Sequence, residues 1–257
     1  MISYSKMVEV CAMGEVLAVL SGKGGTGKTS LCAAIATSLG SAGATVLCVD
    51  CDIGLRNLDL ALGMEQTPAI SFVDAMANGS AYGAGIHPDF PEVHLLTAPV
   101  GMTAEDVDSE GFGRMIRELR NQYDYILLDA PAGVGRGFHL AASLASRCIL
   151  VAGADPGSLR DAARTAQILE LMEKPWVRLA VNRVNPGLYA QMGCNVDDMM
   201  DTVGLPLLGL VPEDRSVPLA AAFGKPLILY TKRGAAQACR NMALRIMGQW
   251  VPLMKIN

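Results

Sequence analysis

The sequence predicts an α/β fold: a three-layer, doubly wound, mostly parallel sheet with helices on both faces. Six short apolar runs lack the polar alternation of half-exposed strands, as parallel strands covered on both faces should. Patterns with helical spacing lie between these runs, and alternation of strands with helices is typical of a parallel sheet. A glycine-rich segment lies where the first apolar run meets the first helical pattern.

The apolar runs define the predicted strands. These strands cover residues 16–20, 45–49, 125–128, 148–152, 177–181 and 207–211. Apolar residues repeated at helical spacing, such as Leu31, Ile35 and Leu39, predict helices between them.

Two further segments carry weaker signals. Residues 78–91 are rich in glycine and alanine and are expected to form an ordinary loop. The last helix is expected to place Met242, Ile246 and Trp250 on one buried face and to end before Pro252.

Length and composition favour a single domain. With 257 residues, of which 51% are hydrophobic, the chain can bury one large α/β core. We expect this domain to cover residues 15–250, with an extension of unassigned role at residues 1–14 and a short tail at residues 251–257. The formal net charge of −4 gives no overall attraction to nucleic acid, which is therefore not an expected partner.

The sequence shows neither an export signal nor a membrane span. Glu9 and Glu15 interrupt the apolar N-terminal stretch, and the apolar segment at residues 140–154 is too short to cross a bilayer. Seven cysteines, an odd number, predict free thiols in a cytoplasmic chain. Cys48 and Cys51 form one CxxC, which we expect to be ordinary packing, with metal or redox chemistry as a minor alternative.

Residues 22–29 match the pattern G-x-x-x-x-G-K-[ST], between a predicted strand and a predicted helix. Glycines allow backbone N–H groups to turn inward around phosphates, and the following helix adds the positive end of its dipole. Lys28 is expected to neutralise the β and γ phosphates of ATP, and the Thr29 hydroxyl to bind Mg²⁺. The predicted nucleotide-binding residues here are Gly22, Lys23, Gly24, Gly25, Thr26, Gly27, Lys28, Thr29 and Ser30.

Asp129 ends an apolar run. It is the candidate for the acidic residue that P-loop enzymes place near magnesium, and it would hold the ion through water. The small residues at 130–135 could move when the γ phosphate leaves.

The loop glycines also fit G-x-G-x-x-G, with Asp50 where an NAD-binding fold places its ribose acid. The lysine–threonine pair that follows the last glycine favours ATP and leaves NAD as a minor alternative.

Lys23, the second residue of this loop, makes the chain resemble the deviant Walker A ATPases, a family that includes MinD, ParA, the nitrogenase iron protein and ArsA. In that family two subunits enclose two ATP molecules, and the extra lysine of each subunit reaches the phosphates held by the other. The resemblance implies an ATP-dependent homodimer, with Lys23 and Lys28 both in the catalytic machinery.

Residues 52–60, with the sequence DIGLRNLDL, are most similar to the first switch segment of the MinD branch. This resemblance implies that Asp52 positions the attacking water, a task that a carboxylate performs by accepting a water hydrogen. An aspartate that only caps a turn is the alternative. Asn182 and Arg183 match a strand end where relatives contact adenine, and the similar segment at residues 209–217 adds Pro212 to the implied nucleotide-binding residues.

The resemblance implies a slow, partner-stimulated ATPase that acts as a positional switch in cell-division site selection or related spatial organisation. A ParA-type DNA or cargo partition ATPase is the alternative, and it would bind DNA in a salt-sensitive way. MinD proteins commonly end in a basic amphipathic helix that binds membranes, and no such helix is evident after Pro252. A membrane surface is nevertheless kept as an alternative partner. The chain is expected in the cytoplasm or on the inner face of the cell membrane.

Overall fold

One eight-stranded sheet forms the centre of the molecule in a computed structural model that describes residues 13–187, 191, 195–254 and 256. Its strands are β1 (Glu15–Leu20), β2 (Val46–Asp50), β3 (Gly85–Ile86), β4 (Val93–Leu96), β5 (Tyr125–Asp129), β6 (Arg147–Gly153), β7 (Val177–Val184) and β8 (Leu207–Pro212). Their order in space is β3-β4-β2-β5-β1-β6-β7-β8. Only β3 and β4 pair antiparallel within this sheet.

Helices cover both faces of the sheet. They are α1 (Lys28–Ser41), α2 (Leu58–Leu62), α3 (Phe72–Asn78), α4 (Ser109–Leu119), α5 (Arg136–Leu144), α6 (Pro156–Leu171), α7 (Val196–Val203), α8 (Ser216–Ala222), α9 (Leu227–Tyr230) and α10 (Gly234–Ile246). One buried apolar cluster packs α3 to α7 against the sheet, and a second packs α1, α2 and α8 to α10 against the opposite face. The predicted three-layer α/β fold is confirmed.

Strand β1 shows why the strands are apolar without alternation. Val16, Ala18 and Leu20 belong to one core cluster, whereas Leu17 and Val19 belong to the other. Successive side chains of a strand point to opposite faces, so a strand covered on both sides needs apolar residues at every position.

The carboxyl ends of the parallel strands collect the predicted site residues. Asp50 of β2 lies beside Asp129 of β5, and Asn182 of β7 lies beside Gly153 of β6. Strand β1 leads into the glycine-rich loop. In open α/β sheets ligands bind at this edge, and the fold therefore brings together segments far apart in the sequence.

The prediction of an ordinary loop at residues 78–91 is wrong, because Gly85–Ile86 forms the edge strand β3. The neighbouring strand β4 was not predicted either. The two strands have two and four residues, too few for a periodic signal in the sequence.

The prediction that Trp250 lies on the last helix is also wrong. Helix α10 ends at Ile246, and Gly248 adopts a φ of 82°, in the left-handed region that ends helices. Trp250 lies beyond this end and is 88% exposed. Arg245 donates hydrogen bonds to the carbonyl groups of Val251 and Pro252, and so holds the start of the tail.

The predicted extension at residues 1–14 lies outside the described residues except for Met13 and Gly14. Gly14 exchanges hydrogen bonds with Arg120: its N–H donates to the Arg120 carbonyl group, and its own carbonyl accepts from the Arg120 side chain. Across the described ranges, no helix combines the length and apolar character that a membrane crossing needs.

Candidate nucleotide-binding site

The glycine-rich loop connects β1 to α1, and two of its glycines adopt conformations that other residues avoid. Gly25 and Gly27 have φ angles of 78° and 85°, and Gly27 is the residue that caps the start of α1. The N–H groups of the first turn of α1 lack partners within the helix, so they are free to bind an anion held by the loop.

Lys28, the first residue of α1, lies in a buried ion pair. Its Nζ is 2.6 Å from Oδ1 of Asp129, and the two side chains are only 6% and 1% exposed. Burial by itself would lower the pKa of Lys28, but the adjacent Asp129 carboxylate outweighs burial and raises it. Lys28 therefore stays charged and places a cation at the cavity beside the loop.

Several buried oxygen atoms around the loop have no hydrogen-bond partner in the described part of the chain. They include Oδ2 of Asp129 and the hydroxyl groups of Ser21 and Thr26. Buried polar atoms are almost always paired in folded proteins, so unpaired ones indicate a site for a ligand or water. Oxygen atoms are the ligands that Mg²⁺ prefers, and Thr29, next to Lys28, supplies another hydroxyl. This donor set fits a magnesium nucleotide.

Asp50 has a structural role that the sequence did not predict. Its Oδ1 accepts a hydrogen bond from the Asp52 backbone N–H at 3.0 Å, and its Oδ2 accepts from those of Asn57 and Leu58 at 3.2 and 3.1 Å. Burial, with the charge of Asp129, raises the pKa of Asp50 to about 6. Asp50 thus fixes both ends of the loop at residues 52–57 and the start of α2, and its carboxylate is not free for a ribose.

Asp52 and Lys23 share a cavity of about 360 Å³ with Lys28 and Thr29. Asp52 is half-buried; burial raises its pKa, although the nearby Lys28 lowers it. A carboxylate in this position can accept a hydrogen from a water molecule in the cavity. Lys23 is exposed, and among the described residues its side chain has no ion-pair partner.

A second cavity of about 360 Å³ adjoins the first and shares Gly27, Ser30 and Arg183 with it. Polar and apolar groups line it together, as is typical of small-molecule sites. Asn182 is buried there and donates a hydrogen bond to the Thr26 carbonyl group at 2.8 Å. The structure therefore gathers most of the predicted site residues around two adjoining cavities, whereas Gly22 and Asp129 line neither of them. Gly22 instead packs against Asp161 and Thr165, and Asp129 contacts Lys28. The residues of the second cavity that were predicted to bind nucleotide are Gly27, Ser30, Asn182, Arg183 and Pro212.

Comparison with known proteins identifies the family to which this chain belongs. The family model described as "CobQ/CobB/MinD/ParA nucleotide binding domain" matches residues 17–227. The septum site-determining protein MinD of Bacillus subtilis is 35% identical over 249 residues, covering 94% of this chain and 92% of that protein. The corresponding protein of Synechocystis sp. is 33% identical over 247 residues, with the same two shares covered.

Solved structures show the same relationship. MinD in the MinC:MinD cell division protein complex of Aquifex aeolicus superposes with a TM-score of 0.86 and 34% identity, covering 94% of this chain and 99% of that one. MinD from Pyrococcus horikoshii, solved with Mg-ADP, has a TM-score of 0.77 and 26% identity, covering 91% and 96%. A ParA family ATPase from Chlorobium tepidum is only 19% identical at a TM-score of 0.78, so it shows a shared fold alone. The chain therefore belongs to the CobQ/CobB/MinD/ParA family of nucleotide-binding domains, and within it to the septum site-determining MinD ATPases.

Proposed function

We propose that this chain binds Mg-ATP at residues 22–30, pairs with a second copy while ATP is bound, and acts as a positional switch in the selection of cell-division sites. The observation that carries the proposal is the contrast between two lysines of one loop. Lys28 is buried and paired with Asp129, whereas Lys23 is exposed at the rim of the same cavity.

Each residue has a separate task in this proposal. Lys28 exchanges part of its contact with Asp129 for the phosphates, which keeps a buried cation paired. Thr29, and Asp129 through water, would hold magnesium, which supplies positive charge against the phosphate oxygens. Asp52 orients the attacking water, while Asp50 keeps Asp52 in place. Lys23 reaches the phosphates of the second copy.

The proposed switch also requires partners that the ATP-bound dimer binds. MinD of Aquifex aeolicus has been solved in complex with MinC. We infer that a protein partner also binds this chain and stimulates hydrolysis, and that a membrane surface is a second candidate partner on the inner face of the cell membrane. Residues 15–250 form the ATPase domain in this proposal.

Phosphate release and sedimentation velocity of the full chain test the proposal together. We expect slow release of phosphate with Mg-ATP, and a dimer with ATP but a monomer with ADP. Co-sedimentation with anionic liposomes, in ATP and in ADP, tests the membrane as a partner. A chain that shows no magnesium-dependent affinity for ATP would overturn the proposal.

A further inference from the structure

The hydrogen bond between Asn182 and the phosphate loop joins two segments separated by 156 positions in the sequence. Asn182 is the last of four consecutive buried residues in β7, and it is only 7% exposed. Its Nδ2 donates to the carbonyl oxygen of Thr26 at 2.8 Å. The partner is a carbonyl group, so the side-chain atom that faces it must be the nitrogen.

This hydrogen bond determines the direction of a loop N–H group. The carbonyl group of Thr26 and the N–H group of Gly27 belong to one planar trans peptide, in which the two point in opposite directions. By holding the carbonyl oxygen of Thr26 on the β7 side, Asn182 turns the N–H of Gly27 away from β7. Gly27 lines the cavity that contains Lys28 and Thr29, so an N–H turned away from β7 is available there as a donor to a phosphate.

The loop and Asn182 are fitted to each other. A Cβ atom built on Gly27 would lie 2.2 Å from Nδ2 of Asn182, so only glycine leaves room for this contact. Asn182 also lines the second cavity, beside the loop. One side-chain amide therefore contacts the loop, through its hydrogen bond to Thr26, and also borders the cavity.

We propose that Asn182 is a positioning residue: it orients the loop N–H groups that bind the phosphate chain, independently of any contact it makes with the nucleoside. The inference rests on the proposed function, because it assumes that the loop holds a triphosphate. It goes further by assigning phosphate affinity to a side chain on a different strand.

A ligand without a base separates the two roles of Asn182. Displacement of a fluorescent ATP analogue, with Mg²⁺ present, measures affinity for ATP and for inorganic tripolyphosphate on the full chain. In Asn182→Leu, which keeps the size but removes the donor, we expect both affinities to fall by a similar factor of about 10 or more. Asn182→Ala should show the same parallel loss and serves as a second variant if the leucine disturbs folding. Melting curves confirm that each variant is folded.

Asn121→Leu makes the same change at an exposed position before β5 and should alter neither affinity. If Asn182→Leu weakens ATP but leaves tripolyphosphate unchanged, Asn182 is only a nucleoside contact and the inference is wrong. It is also wrong if tripolyphosphate fails to displace the analogue from the wild type while ATP succeeds. If neither ligand binds the wild type, it is the proposed function that fails.

Discussion

The two halves of the phosphate loop differ in how the rest of the protein holds them. In the inner half, Thr26 and Lys28 are buried and anchored: Thr26 is held by Asn182, and Lys28 is held by Asp129. In the outer half, Lys23, Gly24 and Gly25 are exposed, and a Cβ atom built on Gly25 would meet nothing within 4 Å. One short motif thus contains a part that other elements anchor and a part that is accessible.

This difference separates two functions that the sequence motif combines. Removing one partner from a buried ion pair leaves an uncompensated charge, which lowers the free energy of unfolding. Lys28 and Asp129 of the inner half are therefore held together. An exposed lysine keeps its hydration and is free to bind a second copy at a modest cost. The inner half therefore suits the chain's own nucleotide, and the outer half suits a shared one.

The largest effect is expected from Asp52→Ala, which leaves both halves of the loop intact. Loss of the water-orienting carboxylate should reduce turnover by a factor of about 10² to 10⁴. Affinity for ATP and ATP-dependent dimerisation should remain. Phosphate release together with sedimentation velocity checks this. Unchanged turnover would mean that Asp52 only caps the turn at the end of β2.

Lys28→Ala should disable the inner half. We expect affinity for Mg-ATP to fall by about 100-fold, because a charge-assisted contact with the phosphates is lost. The change also leaves Asp129 buried without its partner, so the free energy of unfolding should fall by about 3–5 kcal/mol. Calorimetry and chemical denaturation measure the two effects. Lys225→Ala, at an exposed position, is the matched control.

The nucleotide-free protein should also respond to pH through Asp50, which ends β2 beside the Asp129 that anchors the inner half. The Asp50 pKa of about 6 exceeds the ordinary value of 3.8, so the folded chain holds this proton more tightly than the unfolded chain. The contribution of Asp50 to stability should therefore decrease as pH rises from about 4 to about 6, by up to about 3 kcal/mol, and then stay constant.

Denaturation curves of the wild type and Asp50→Asn over this pH range isolate the contribution of Asp50. The difference between their unfolding free energies should change by the stated amount. Asp201→Asn, at an exposed position, should run parallel to the wild type. A difference that stays constant between pH 4 and 6 would show that Asp50 has an ordinary pKa.

Lys23→Ala should affect only the outer half, and it is the smallest of these changes. Affinity of the monomer for Mg-ATP should stay within about twofold, whereas the dimer dissociation constant should rise at least about tenfold, as for other close charge contacts at interfaces. At concentrations where the wild type pairs, the variant should sediment as a monomer. Normal dimerisation of Lys23→Ala would show that the outer half is not shared.

The sequence predicted the parts of this molecule whose signals are local. Six strands were found because each is a continuous apolar run, and the phosphate loop was found because its glycines and lysines are contiguous. Trp250 was misplaced because helical spacing was counted through Gly248, whose left-handed backbone ends the last helix.

Other features depend on contacts that no local pattern encodes. The short strands β3 and β4 depend on pairing: β3 pairs with β4, and β4 pairs in turn with β2. Asp50 was recognised as a strand-end acid, but its bonds to Asn57 and Leu58 depend on the path of the loop. The bond from Asn182 to Thr26 depends on the position of β7 beside the loop. The sequence could therefore supply the candidate residues but not the residues that hold them in place.

Calorimetric titration of ATP into the wild type, Lys28→Ala and Lys23→Ala, with and without Mg²⁺, tests the division of the loop most directly. We expect magnesium-dependent binding of similar affinity in the wild type and in Lys23→Ala, and affinity lower by about 100-fold in Lys28→Ala. Equal loss of affinity in both lysine variants, or no magnesium-dependent binding in the wild type, would contradict the account.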